Sequence, residues 1–492
     1  MTDVADRRDG ATADEGVDIS ASTRMTKWLV LVAVVIMLAG LLFGYDQGVI
    51  SGALNGIEKD FDVSTLAIEI ITSWVTLGAM VGALVAGVLA DRLGRRRAVL
   101  WAAALFVVGA AIEAAAPDVP VLVLGRLVVG FGVGVASVAA PLYAAEMAPA
   151  RLRGRFVSMY QLAITIGIFI AYLVDQFLAS GDLWRVMLGL SAVPGVLLVI
   201  AMWPLPDSAV WYEKQGRRGD AEAALRRVRG DDADVTEELG AIDDSLTERQ
   251  ASWGEVFSRQ WRAPLVIGVG LAVLQQVTGI NAVIYYADRI FAAAGFSDAG
   301  AQTAAATWAI GAVNVLFTFV AVAWVDKLGR RPLLFAGLIG MGISLTTIAI
   351  CFGDLNRVTI HTTQSTNSPS DTGVIMLLAM MVFIGSFAFS LGPVVWTVIN
   401  EIYPSSVRGC GVAIATAVNW FSAWVVTQFF LSLTDLLGES GTFGLFAFMC
   451  VVAFVFVKRY VPETKGRTLD EIEEMFAARA KRNERSVGGA AG

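Results

Sequence analysis

The sequence predicts an all-α integral membrane protein of twelve membrane-spanning helices, arranged as two six-helix halves joined by a cytoplasmic helical linker. Composition is the first observation behind this fold class. Of the residues, 56% are hydrophobic and only 16% are charged, against about 25% charged in an ordinary soluble domain. The charge is also concentrated, with 22 of the 81 charged residues falling between Asp207 and Arg262. The second observation is repetition. DRLGRRR at 91–97 returns as DKLGRRP at 326–332, EMAPARLRG at 146–154 returns as EIYPSSVRG at 401–409, and Pro206-Asp207-Ser208 is echoed by Pro462-Glu463-Thr464. Two related halves threaded through a membrane imply a secondary-transporter architecture.

The third observation is the apolar runs themselves. A helix needs about 20 apolar residues to cross the hydrocarbon core. Such runs begin near Trp28, Glu69, Ala98, Val121, Phe156 and Trp184 before the charged centre, and near Pro264, Thr303, Pro332, Gly373, Gly409 and Thr442 after it. An even number of crossings puts both termini on one side. Arg92, Arg95, Arg96, Arg97, Arg151, Arg153, Arg155, Lys327, Arg330, Arg331 and Arg408 crowd the loops of one face, while the opposite loops hold few cations, among them Lys59, Arg185 and Arg357. The cation-rich face is therefore expected to be cytoplasmic, in the plasma (inner) membrane.

The organisation follows: 1–27, a polar segment without an apolar signal core, as a disordered cytoplasmic tail; 28–205 as the first half; 206–262 as the linker; 263–461 as the second half; and 462–492 as a cytoplasmic tail, helical from Glu463 to Phe476. In the linker, AEAALRRV at 221–228 has the spacing of a short amphipathic helix, which suits either a solvated linker or a latch packed under both halves. The net charge of −7 comes without a basic stripe, so no nucleic-acid partner is expected. Cys351, Cys410 and Cys450 lie in or beside apolar runs and show neither a disulfide framework nor metal-ligand spacing. No metal, no cofactor and no enzymatic nucleophile is expected.

LFGYDQGVISG, DRLGRRR, PLYAAEMAPARLRG, QQVTGINAVIYYA, EIYPSSVRG and VPETKGRTL, in that order, resemble the sugar porters of the major facilitator superfamily over roughly residues 28–475. The nearest relatives it resembles are bacterial proton-coupled sugar symporters. One departure is plain: PDSAVWY at 206–212 stands where the family usually writes Pro-Glu-Ser-Pro-Arg-Trp, although Asp207 keeps the acid.

The repeated loops read as a gating network. Gly94 permits a tight turn in DRLGRRR, where Asp91 can pair with arginines of neighbouring helix ends; Arg92 and Arg95 belong to the same network, and Asp326, Arg330 and Arg331 repeat it in the second half. Glu146 with Arg153, and Glu401 with Arg408, give each half an acid able to reach a cation across the gap, and Glu463 closes the second copy. Within the apolar part, Asp46 in the first span and Arg126 in the fourth are costly charges of the kind that mark ion paths. At 1.5 Å per residue both fall in the outer half, where a proton from outside could neutralise Asp46 and free Arg126. The resemblance implies the same role, since proton-coupled members carry an acid at this position. The proton is then the only coupling species. His361 lies in a polar outer loop, away from any relay.

Sugar recognition needs amides for hydroxyls and an aromatic face for the ring. Gln161, Gln275, Gln276, Asn281, Asn314 and Asn419 are amides inside spans, with Trp396 and Trp420 as the aromatic faces, and the resemblance maps all of them onto sugar-binding positions. Gly279 and Gly392-Pro393 are expected helix breaks; Tyr285 and Tyr286 suit an outer gate. Ile168 stands where the family's xylose symporter carries glutamine and glucose carriers carry isoleucine, which tilts the expectation to a hexose such as glucose or galactose. The expected activity is proton-coupled sugar import by alternating access, by a monomer in lipid. A proton-independent facilitator and a pentose or inositol symporter stay open, with a non-transporting sensor ranked last.

Overall fold

The computed structural model describes residues 25–178, 183–230, 232–247, 254–296, 298–359, 371–403, 405–466 and 471, without the side chains of 150, 157, 325, 326, 355–359 and 405. The expected tail up to residue 24, His361, the side chain of Asp326 and the expected helix beyond residue 466 lie outside what is described.

Twelve helices among the described residues are long and apolar enough to cross a bilayer. Helices one to six run Lys27–Phe61, Thr65–Leu93, Arg95–Ala114, Val119–Met147, Arg153–Leu178 and Trp184–Met202. Helices seven to twelve run Arg262–Tyr285, Ala299–Trp324, Arg330–Asp354, Asp371–Ile402, Ser406–Gln428 and Phe430–Tyr460. Their starts obey local chemistry. Thr26, Ser64 and Asp118 cap helices one, two and four by accepting the N–H of Leu29, Ala67 and Val121. Helix twelve starts at Phe430 and not near Thr442; it bends at Gly438, whose φ of 71° only glycine adopts readily, so the apolar run read from the sequence was its second segment.

Helix one carries Gly40, Gly44, Gly48 and Gly52 on one stripe against helix five; Cβ atoms there would strike Tyr160, Ile164, Ile168 and Asp175. Small residues at this spacing let two backbones approach closely. Outside the bundle, Trp101, Ile200, Ile343 and Phe448 are exposed, an apolar surface of the kind a bilayer accepts.

Two breaks matter for the site. Helix seven stops at Val277, passes through Gly279 at φ +91° and restarts over Ile280–Tyr285. Helix ten breaks at Ser390, earlier than the expected Gly392-Pro393, and restarts at Leu391. Pro393 is then the third residue of the new segment, where a missing N–H breaks no helical hydrogen bond. Helix eight widens into a π-helical turn over Ala306–Ala312, whose Thr307 hydroxyl donates to the Tyr172 carbonyl of helix five at 3.0 Å.

Between the halves, short helices Ala209–Lys214, Arg218–Arg229 and Thr236–Thr247 bury Ala209, Ala221, Leu225, Val235, Leu239 and Ile242 together. Among the described residues, the anchoring contacts of these helices are to the first half. Arg229 donates to the Met147 carbonyl at 2.6 Å, Thr26 donates to the Val228 carbonyl at 2.6 Å, and the Arg227 guanidinium lies 3.9 Å from the Trp28 ring. Their apolar faces are spent on one another, which leaves basic side chains free to meet the carbonyl end of helix four.

Candidate functional site

The repeated loops build one small unit twice. Arg95 makes a forked contact with Glu146, its Nε 2.9 Å from Oε2 and its Nη2 3.0 Å from Oε1. Arg330 repeats this on Glu401, with Nη2 2.7 Å from Oε1 and Nε 3.2 Å from Oε2. The acids that follow helices six and twelve cap helices three and nine: Asp207 Oδ1 accepts from the N–H of Arg95 at 2.8 Å and Arg96 at 3.3 Å, and Glu463 accepts from the N–H of Arg330 and Arg331, both at 2.9 Å. This corrects two expectations. Glu146 and Glu401 pair within their own halves and not across the gap. Their partners are the arginines after Gly94 and Gly329 and not Arg153, which is exposed, or Arg408, whose Nε donates to the Tyr403 carbonyl at 3.1 Å. The physical reason is proximity: the tight glycine turn delivers its arginine to the end of helix four or ten, whereas Arg153 opens helix five and points outward. Asp91 pairs locally with Arg95 and Lys214, both at 2.9 Å, and Arg92 is exposed.

Burial pushes the Asp207 carboxyl above its usual range, against the N–H groups that favour its charge. Glu463, less buried, ends below the usual range because the N–H groups of Arg330, Arg331 and Lys465 outweigh burial. The altered PDSAVWY string therefore keeps the capping acid: Trp211 donates its indole N–H to the Asp91 carbonyl at 2.9 Å, tying the new segment to the same loop.

Inside the bundle, Arg126 Nη1 lies 2.6 Å from Asp46 Oδ1, and both side chains are almost wholly buried at 0% and 3% exposure. Arg126 Nε donates to the Ile71 carbonyl at 3.2 Å. Sequence reading missed the third member of this cluster, Glu113 at the end of helix three, 3.7 Å from Arg126 Nη1 and 0% exposed. A lone acid inside an apolar run was the signal that could have found it.

The residue after Asp46 faces the other half. Gln47 Nε2 reaches Asn281 Oδ1 at 3.3 Å and the Tyr285 hydroxyl at 3.4 Å. Asn281 donates to Gln276 at 2.8 Å, Gln276 to Asn419 at 3.1 Å, and Asn419 to Gln275 at 2.7 Å, while Gln275 donates to the Leu391 carbonyl at the helix-ten break at 2.7 Å. The structure thus gathers Gln275, Gln276 and Asn281 of the broken helix seven and Asn419 of helix eleven into one chain of amides. Trp420 lies beside it with its ring 5.2 Å from Phe43 across the halves. Gln161 and Trp396 are half-buried, Asn314 is buried just past the π-helical turn, and Ile168 is packed into the apolar core against helix one. Tyr285 and Tyr286 are both buried, Tyr286 donating to the Thr427 carbonyl at 3.2 Å.

The halves are also joined away from the arginine-rich loops. Ser51 Oγ accepts from Asp288 N–H at 3.0 Å, Ser73 donates to Gln428 at 2.7 Å, Tyr172 donates to the Ile284 carbonyl at 2.8 Å, and Glu69 accepts from Ser432 N–H and Oγ at 2.7 and 2.8 Å. Glu58 and Arg289 form an ion pair further out. Gln47, Glu69 and Asp288 were likewise not singled out from the sequence.

A two-lobed bundle of twelve spanning helices, with a buried ion cluster and an amide chain meeting between the lobes, defines the class of secondary transporters. The chain matches the family model described as "Sugar (and other) transporter" over residues 32–476, and it belongs to that family of membrane transporters, which are not enzymes. It is 40% identical over 438 residues to the galactose-proton symporter of Escherichia coli strain K12, covering 89% of this chain and 92% of the relative. It is 38% identical over 436 residues to a glucose transporter of Staphylococcus epidermidis, covering 89% and 94%. Among solved structures, the xylose transporter XylE from E. coli in a partially occluded inward-open conformation superposes with a TM-score of 0.76 at 30% identity, covering 90% of this chain and all of that one. The chain is therefore a multi-pass membrane protein of the major facilitator fold.

Proposed function

We propose that this protein imports a hexose, glucose or galactose, together with protons by alternating access, as a monomer whose termini and arginine-rich loops face the cytoplasm. The single observation that carries the reading is the adjacency of Asp46 and Gln47. One holds Arg126 within the first half; the other holds Asn281 and Tyr285 of the second. A change of charge on Asp46 reorganises its own helix turn, and the next side chain is already attached to the amides that would bind sugar. Proton and sugar are in this way two ligands of one bistable interface.

The assigned roles follow. Asp46 binds the proton opposite Arg126. Gln161, Gln275, Gln276, Asn281, Asn314 and Asn419 offer hydrogen bonds to sugar hydroxyls, and Trp396 and Trp420 offer apolar faces. The Glu146–Arg95 and Glu401–Arg330 units, capped by Asp207 and Glu463, act as the rigid bases of the two halves at the cytoplasmic gate. The cross-half bonds on the side away from those loops support a closed exterior, in keeping with the similarity to an inward-open relative. The preference for a hexose rests on Ile168 and on relatives named for galactose and glucose.

Reconstitution tests the reading. Vesicles bearing the purified protein should accumulate labelled glucose when an inward proton gradient is imposed, and Asp46→Asn should abolish that accumulation while sparing sugar exchange. Accumulation retained in Asp46→Asn would overturn the proton role.

A further inference from the structure

Three titratable groups meet where the function above uses two. Glu113 is 0% exposed, its Oε1 lies 3.7 Å from Arg126 Nη1, and neither of its oxygens has a hydrogen-bond partner. The same Nη1 serves Asp46 at 2.6 Å, and the other terminal nitrogen, Nη2, has no partner either. The carboxyl is held there by close packing: a Cβ added to Gly125, the residue before Arg126, would lie 2.6 Å from Glu113 Cγ. The Thr72 hydroxyl of helix two, beside the Ile71 carbonyl that accepts from Arg126, is buried without a hydrogen-bond partner, while the nearby charged and phenolic groups are engaged elsewhere. Arg185 of helix six pairs with Asp60 and donates to the Ala116 carbonyl, Asp118 caps helix four, and the Tyr285 hydroxyl accepts from Gln47. Arg126 is thus the cation that faces both acids.

Charge decides what such a cluster can be. With both acids ionised, two negative charges share one positive charge out of contact with water, and burying an uncompensated charge is expensive. With one proton added, the cluster is neutral. The geometry also says where that proton rests. Asp46 has the short contact to the guanidinium and is the ionised partner; Glu113, with no donor on either oxygen, is the protonated one.

We propose that Glu113 is a second proton-binding group of the coupling site, and that the transported proton is held jointly by Asp46 and Glu113 across Arg126. The inference rests on the proton-coupled reading above and deepens it. In the arrangement seen, the proton is on Glu113. Transfer to Asp46 moves it a short distance within the cluster: the Glu113 O–H bond breaks, an Asp46 O–H bond forms, and the unpartnered Nη2 turns to the newly ionised Glu113. Proton number and charge are unchanged, so Arg126 never loses its counter-ion. When the proton leaves, the fork of Arg126 can hold both carboxylates until the next one arrives.

Infrared difference spectroscopy of the purified, unenergised protein tests this without any transport. The wild type should show a carboxylic-acid C=O band that is absent in Glu113→Gln and shifted in Glu113→Asp, which keeps an acid on a shorter arm. In vesicles, Glu113→Gln should move the pH at which proton-driven uptake is half-maximal downward by about one unit or more, because protonating Asp46 beside Arg126 then leaves a buried net positive charge, and Glu113→Asp should restore most of it. A wild-type spectrum superimposable on that of Glu113→Gln, or an unshifted uptake profile, overturns the proposal. If the glutamine variant does not fold, the aspartate variant decides: the band must move. Wild-type vesicles that take up sugar without protons would sink the proposed function but leave the spectroscopic result standing, so the two failures are told apart.

Discussion

At the scale of single residues, the amides between the halves are held to one another by short polar contacts. Asn281 bridges Gln47 of the first half and Gln276 of its own, so it is the amide whose loss touches both proposed ligand sites. Asn281→Ala should weaken sugar binding by about 1–3 kcal/mol, roughly fivefold to 150-fold in Kd, measured by calorimetry on purified protein. It should also loosen the dependence of sugar affinity on pH, because the bridge to Gln47 is gone. Unchanged affinity would remove Asn281 from the site. Most of these residues were legible in the sequence, since an amide inside an apolar span is conspicuous. Gln47 was not, because it sits beside the far more conspicuous Asp46. Glu113 escaped for a different reason: its importance depends on a contact with helix four that no spacing along helix three reveals.

At the scale of elements, the two halves reuse one device, a glycine turn whose following arginine reaches back to a carboxylate and whose backbone N–H groups are capped by an acid from the far end of the half. Gly94 has a φ of 99° and Gly329 a φ of 90°, a backbone region that other residues adopt only under strain. Glu463 makes the second device sensitive to acid. Its carboxyl titrates below the ordinary range in the folded protein, so its contribution to stability is fully present above the ordinary glutamate pKa and is lost as pH falls through the depressed folded value. Thermal unfolding in detergent should therefore become easier on acidification. Glu463→Gln should lower the melting temperature at neutral pH and flatten that pH dependence; a variant as pH-sensitive as the wild type would contradict the capping role. The repeated strings announced this device, but not its wiring. The sequence offered Arg153 and Arg408 as partners because they lie near Glu146 and Glu401 along the chain. The fold chose Arg95 and Arg330, which a tight turn brings close in space.

At the scale of the whole molecule, the question is which side is shut. Glu69 is 0% exposed and accepts two hydrogen bonds from Ser432 at the first turn of helix twelve. Leaving a buried hydrogen-bonding group unsatisfied costs about 1–3 kcal/mol. Glu69→Ala should shift the population toward exterior-open forms by roughly tenfold or more. Spin labels at the exposed Leu66 and Leu436, one on each half, would read this as a longer distance distribution; an unchanged distribution would show that this contact does not hold the exterior closed. Transport should slow in the same variant wherever closure limits turnover.

Twelve apolar runs, a charge-poor composition and a twice-written set of loop strings determined the class of protein by themselves, because the bilayer admits few solutions for a chain that must satisfy its own backbone. The buried acid opposite a buried arginine and the amides of helix seven were equally plain, being polar groups that lipid would not otherwise tolerate. What only the tertiary structure decided was partnership: that Glu146 and Glu401 look inward to their own halves, that Glu113 shares Arg126 with Asp46, that helix ten breaks at Ser390, and that Gln47 joins the ion cluster to the amide chain. Those outcomes depend on which helix faces which and at what depth, and packing between segments far apart in the chain fixes both.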